Sequence, residues 1–152
     1  MKITASMVKE LREITGAGMM DCKKALNESD GDMEAAKEFL RKKGQAIANK
    51  KSSRETREGA VSISLKENKA ALVKIACETD FVAINDNFKE FIAKIAAQAI
   101  EVGIDDLMEK STSSGSIKEQ FVEAIGKLGE NIVFANGQYW EAAENGVINF
   151  YT

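Results

Sequence analysis

The chain of 152 residues contains no histidine and only two cysteines. Those shortages exclude Ser-His-Asp and Cys-His nucleophilic catalysis, and they leave no conventional zinc site. No apolar run approaches the roughly 20 residues that a membrane-spanning helix needs. The start, Met1-Lys2-Ile3-Thr4, lacks the apolar core and small-residue cleavage site of a secretory signal. Cytoplasm is therefore the expected location, or an organelle matrix if a transit peptide has been removed. Phosphate-cradling signatures are missing as well, since neither G-x-x-x-x-G-K-[ST] nor G-x-G-x-x-G occurs. Thr15-Gly16-Ala17-Gly18 is glycine-rich, but no strand precedes it and no lysine stands in the required place. It reads as a turn between helices. With no Asp or Glu pair in a recognisable catalytic pattern, the expectation is a protein without catalytic residues, metal or cofactor.

What is present is an ordinary soluble composition, 44% hydrophobic and 30% charged, enough for one domain or a small domain beside a medium one. A net charge of −3 and a pI near 5.2 argue against a nucleic-acid binder driven by overall charge. Cys22 and Cys77 fall inside a predicted helix and a predicted strand. They read as buried thiols in a reducing compartment rather than as a disulfide.

Residues 1–44 carry helical periodicity. Met7, Val8, Leu11 and Ile14 form a 3.6-period stripe, with Ser6 as N-cap and Gly16 as stop. Met19, Met20, Ala25 and Leu26 mark a second helix. Asp32 caps a third, with Met33, Ala36, Phe39 and Leu40 facing inward until Gly44. Residues 45–58 break the period. Between Arg41 and Glu58 stand seven Lys or Arg against two Glu, a local balance of +5 in an acidic chain. Without interleaved aromatics this stretch lacks a stacking platform for single-stranded RNA and reads as a solvated linker or a frayed helix.

From Gly59 the period changes to two. Val61, Ile63 and Leu65 alternate with polar residues and, after Glu67-Asn68-Lys69, so do Ala71, Val73, Ile75 and Cys77, which predicts a hairpin. Phe88, Phe91, Ile92, Ile95, Ala99 and Val102 line a long helix. Ser111 to Gly115 is a flexible stretch, and Ile117, Phe121, Ala124, Ile125 and Leu128 mark a helix ending at Gly129. Ile132, Val133 and Phe134 start a third strand, and Val147, Ile148, Phe150 and Tyr151 form a fourth. The expected fold class is α+β: a three-helix module at 1–44, a basic linker at 45–58, and an antiparallel sheet covered by helices at 59–152.

Thr79-Asp80-Phe81-Val82 closes the hairpin just before a helical pattern. An aromatic on so short a connection is either tucked into its own core or offered to a partner, and the tetrapeptide alone does not decide. Met19 and Met20 carry a similar ambiguity. Neighbours on a helix point about 100° apart, so one packs inside and the other faces out as a soft docking surface.

The run from Thr4 to Leu26 (TASMVKELREITGAGMMDCKKAL), the run from Cys77 to Ala83 (CETDFVA) and the run from Lys127 to Ile132 (KLGENI) resemble, in order and spacing, the elongation factor Ts family. Members of that family are guanine nucleotide exchange factors for elongation factor Tu. The helical pattern of residues 1–44 suggests a compact three-helix module like the ubiquitin-associated fold. The resemblance implies that elongation factor Tu is the partner, with Arg12, Met19, Met20 and Lys23 docking, Asp80 and Phe81 forming the wedge beside its magnesium site, and Thr79 and Val82 also binding the partner. Leu128 and Gly129 match a third contact, where the family commonly has isoleucine before the glycine. The family's strand near the end of this chain leads into a histidine-glycine pair that has no counterpart here. The sequence stops at Thr152 in an apolar run, so it reads as cut short at the C-terminus or as a short form.

Two other readings compete. A ubiquitin-associated-type binding module joined to an unrelated α+β domain is one. The other is an enzyme or RNA-binding factor in which Glu78, Asp80 and Asp86 hold Mg²⁺ for phosphoryl chemistry, although side chains spread across a strand end and a turn diverge. No membrane or nucleic-acid partner is expected.

Overall fold

A computed structural model describes residues 2–151. Three helices open the chain: α1 (Ala5–Thr15), α2 (Met19–Glu28) and α3 (Met33–Lys51). Thr4, not Ser6, caps α1, because the extended backbone at Thr4 lets its hydroxyl accept from Met7 N–H at 3.3 Å. Gly16 ends α1 in the left-handed conformation (φ 65°), and its N–H donates to Arg12 C=O at 2.7 Å. A small core of Val8, Leu11, Cys22, Ala25, Leu26 and Ala36 holds the three helices together. Ile14, expected on the inward stripe, is exposed, because α1 reaches its glycine stop before another turn can cover it.

The third helix does not stop at Gly44. It runs through to Lys51, and Ala48 joins a second, larger core. A glycine in a helix interior costs only about 1 kcal/mol relative to alanine. Here Gly44 lies against Val122 of a later helix, α6 (Ile117–Leu128), where an added Cβ would come within 3.3 Å of the valine methyl. Packing on α6 thus carries the helix past its weakest residue. The first half of the expected linker is helical, and only Ser52–Arg57 is irregular.

Strands β1 (Glu58–Lys66) and β2 (Lys69–Cys77) form the expected hairpin. A one-turn helix α4 (Asp80–Ala83) and the long α5 (Asp86–Val102) follow. A two-residue hairpin, β3 (Ser111–Thr112) with β4 (Gly115–Ser116), leads into α6 (Ile117–Leu128). Ser111–Gly115 is therefore ordered: the Thr112 hydroxyl donates at 2.7 Å to Gln98, which exchanges amide hydrogen bonds with Gln120. Strand β5 (Val133–Glu141) returns antiparallel beside β2, giving the order β1-β2-β5.

Helix α5 covers one face of this sheet, and α6, packed against α3 and α5, adds its side chains to the same core. Ala71, Val73, Ile75 and Cys77 point into that core with Phe88, Ile92 and Ile95, and Phe91 meets Phe121 edge-on at 5.0 Å. The apolar alternation of β1 points the other way. Val61, Ile63 and Leu65 pair with Lys74, Leu72 and Ala70, whereas Ala60, Ser62 and Ser64 pair with the inward residues of β2. Directly paired residues share a face, so Ile63 and Leu65 lie on the side away from α5. There, with Leu72, Trp140 and Phe150, they line a groove of about 390 Å³. The expected fourth strand at Val147–Tyr151 does not form: residues 146–151 are irregular, and Val147, Ile148, Asn149 and Phe150 line this groove. Within the described residues no helix is long and apolar enough to cross a membrane.

Candidate partner-binding surface

The hairpin delivers β2 to Cys77, and the chain then turns sharply. Thr79 is extended (φ −125°, ψ 156°) and caps α4, its hydroxyl accepting from Val82 N–H at 3.4 Å. The Asp80 carboxylate accepts from Phe81 N–H at 2.9 Å. Asn85 caps α5 by accepting from Asn87 and Phe88 N–H. Between these two caps only one helical turn remains, and its four residues must divide between core and solvent. Val82 and Ala83 pack against the large core, which leaves Phe81 79% exposed. Ile84, 68% exposed, adds a second projecting apolar side chain. The ambiguity at Phe81 resolves to the outward orientation.

This turn is fastened from behind. Glu130, just after α6, accepts from Glu78 N–H at 2.9 Å and Thr79 N–H at 3.0 Å through one oxygen, and from the Thr79 hydroxyl at 2.5 Å through the other. Glu78 returns the contact by accepting from Asn131 N–H at 2.7 Å, with Arg54 3.5 Å from the same oxygen. The buried Asn131 side chain donates to Arg54 C=O at 2.9 Å, and Lys51 donates to Gly129 C=O at 2.6 Å. Three segments distant in sequence are thereby tied together: the end of α3, the β2–α4 turn and the α6–β5 turn.

The same corner reaches the N-terminal helices. Gly16, in the α1–α2 turn, lies against the Lys127 side chain so closely that a Cβ there would fall 2.3 Å from the lysine Cε. Arg12 and Lys23 are exposed. Met19 and Met20 are both exposed, at 57% and 76%, which corrects the expectation that one packs inside. Cys22, Ala25 and Leu26 fill the core of α2, so its first turn is left projecting. Leu128 packs partly against the large core, while Gly129 ends α6 in the left-handed conformation (φ 75°) and is exposed.

Glu78 and Asp80 already spend their carboxylates on Asn131 and Phe81 N–H groups, and among the described residues no group of three or more Asp, Glu or Cys could hold a metal ion. Cys77 is buried beside this turn. Burial, reinforced by the charges of Glu130 and Glu58, pushes its thiol up to about 11. Sequence reasoning passed over Ile84 and the role of Glu130. The glutamate was visible only as a letter of the KLGENI run, and nothing local says that it reaches across to residues 78 and 79.

A family profile described as elongation factor TS matches residues 78–152. Elongation factor Ts of Hydrogenovibrio crunogenus is 52% identical over 99% of this chain and 53% of its own length. The protein of the same name from Clostridium tetani is 50% identical, covering 98% of this chain and 51% of its own, and that of Thioalkalivibrio sulfidiphilus is 46% identical. The chain thus spans about half the length of the curated relatives it matches. Identity of about half over nearly the whole chain shows that it belongs to the elongation factor Ts family.

Proposed function

We propose that this chain acts in translation elongation by binding elongation factor Tu in its GDP form and promoting release of the nucleotide, without making or breaking a covalent bond. The observation that carries this reading is Phe81, an aromatic held out into solvent on a single helical turn that is capped at both ends. A protein with no nucleotide site of its own can still expel a nucleotide from another. It must bind the nucleotide-free or distorted partner more tightly than the GDP-bound one, and linkage then weakens GDP by the same factor.

Such a wedge has to be stiff, apolar and placed beside the phosphates. Phe81 provides area at little cost in side-chain entropy, and Asp80 brings a negative charge next to it. Pushed against a magnesium and diphosphate cradle, the pair disturbs the cation and the N–H donors that neutralise the phosphates, leaving charge uncompensated. Arg12, Met19, Met20 and Lys23 provide docking from the first two helices, and Gly129 a further contact at the end of α6. The proposed setting is the cytoplasm.

The test is fluorescent GDP release from elongation factor Tu with this chain and with its Phe81→Ala variant. The variant should keep its melting temperature, since so exposed a ring stabilises little, and should lose at least tenfold in release, the scale of a removed hot spot. Equal rates for the two chains would remove the wedge reading.

A further inference from the structure

We infer that Glu130 is a positioning residue for the exchange wedge: its carboxylate, by gripping both backbone N–H groups and the side chain at Glu78-Thr79, sets the angle at which α4 presents Asp80 and Phe81. This inference rests on the proposed exchange function. Its grounds are geometric. A one-turn helix has no length of its own to keep it rigid, because helix formation needs several turns before it propagates favourably. Something else must fix the direction in which Phe81 projects. The turn that precedes α4 is the only covalent lever on the side of β2, and Glu130 takes three hydrogen bonds there, at 2.9, 3.0 and 2.5 Å.

The grip is reciprocal and anchored. Glu78 accepts from the backbone of Asn131, next to Glu130, so the two turns hold each other through side chains running in opposite directions. Asn131 is 4% exposed and donates to Arg54 C=O, which ties the pair to the chain leaving α3. The Thr79 hydroxyl is the relay. It donates to Glu130 and accepts from Val82 N–H, so the position of the carboxylate is passed to the second residue beyond Asp80. Hydrogen bonds with an ionised acceptor are shorter and stronger than neutral ones, which suits a fixed lever. Nothing in this network touches Phe81, whose side chain is left free for a partner.

A positioning role and a merely structural one separate in the kinetics. Removing the grip should let α4 sample several orientations and lower the maximal rate of GDP release by about tenfold. The concentration of chain giving half that rate should stay within about twofold, because docking is made elsewhere. The decisive arm is the double variant: if Glu130 works through the wedge, Glu130→Ala adds nothing in a Phe81→Ala background. Backbone amides of Glu78 and Thr79 in the parent chain should be protected from hydrogen exchange and lose that protection in Glu130→Ala. Should that variant fail to fold, Thr79→Val deletes the relay hydroxyl, retains the backbone donors, and should show the same dependence on Phe81 in weaker form.

Full, independent losses from Glu130→Ala and Phe81→Ala would overturn the inference while leaving the wedge intact. So would unprotected Glu78 and Thr79 amides in the parent. Release unchanged by Phe81→Ala would instead overturn the exchange reading, and the inference with it.

Discussion

Among the described residues, the N-terminal core gathers six buried side chains, of which Leu11 and Leu26 are the largest. The core between the sheet and helices α5 and α6 gathers seventeen and includes Phe88, Phe121 and a set of isoleucines. A core as small as the first rarely supplies more than about 3–5 kcal/mol by itself. Helix α3 links the two, placing Ala36 in one and Ala48 in the other. The small core carries Met19 and Met20 on its surface, and the large one carries Phe81. Difference in scale therefore separates a small module, which carries the proposed docking methionines and depends on its neighbour, from the larger base of the proposed wedge.

The most direct way to break this comparison is to remove the same kind of side chain from each core. Leu11→Ala and Ile95→Ala should each cost about 2–5 kcal/mol, since both residues are fully buried. For the small core that equals its whole reserve. Hydrogen exchange in Leu11→Ala should show α1 and α2 losing protection while the amides of β2 keep theirs. Ile95→Ala should lower the stability of the sheet and still leave it folded. Equal loss across both regions in Leu11→Ala would mean that α3 fuses them into one cooperative unit.

A second way leaves both cores intact. Met19→Ala combined with Met20→Ala removes two side chains that are mostly in solvent, so melting should hardly move. Affinity for elongation factor Tu should fall by roughly 1–3 kcal/mol, the scale of a few truncated anchors. Titration of the partner onto the double variant measures it, and unchanged affinity would take the N-terminal helices out of the interface.

Each core also holds one thiol, and Cys77, beside the turn that carries Phe81, is open to a pH test. The thiol of Cys77 is pushed up from 9.0 to about 11 by burial and by the carboxylates of Glu130 and Glu58. In the unfolded chain the proton leaves first, so between those values the unfolded state binds fewer protons than the folded one. The stabilisation from the neutral thiol is complete below about pH 9 and is lost as pH rises through about 11. Urea unfolding at pH 8.5 and 10.5, as test conditions, should therefore show a steeper loss for the parent than for Cys77→Ala. Parallel losses would mean that burial at Cys77 does not hold its proton.

Much of this architecture was legible in the sequence because it follows from local periodicity. The three helices, the hairpin, α5 and α6 each repeat at 3.6 or 2, and Asp32 caps α3 as its sequence suggests. What escaped reading was set by contacts between distant residues. Period two locates Val61, Ile63 and Leu65 on one face but does not say which face α5 covers, and the register places them on the other. Gly44 looked like a stop until α6 packed against it. Val147–Tyr151 has strand composition, yet no strand of the sheet pairs with it. At the candidate site, the letters named Phe81 and left its direction open, because that direction depends on Val82 and Ala83 finding the core. The grip of Glu130 spans about fifty residues and leaves no local pattern.

The smallest effect is expected from the basic stretch that joins the two regions. Replacing Lys50, Lys51, Arg54 and Arg57 together with Gln removes four positive charges from a chain of net −3. Two of them are engaged at the corner, Lys51 on Gly129 C=O and Arg54 beside Glu78, so this segment has more fixed geometry than a free tether. Even so, the Arg54 side chain is about half exposed and pairs at 3.5 Å, and exposed pairs of this kind contribute little. The firmer tie of this segment is Asn131 to the Arg54 carbonyl, which the substitution leaves in place. At physiological salt, surface charges are screened within about 8 Å, so GDP release should stay within about twofold of the parent. Stopped-flow association at low and high salt separates tether from steering. A tenfold loss in on-rate that vanishes at high salt would show that these charges guide an acidic partner, and the basic stretch would then belong to the docking surface rather than to the connection between the cores.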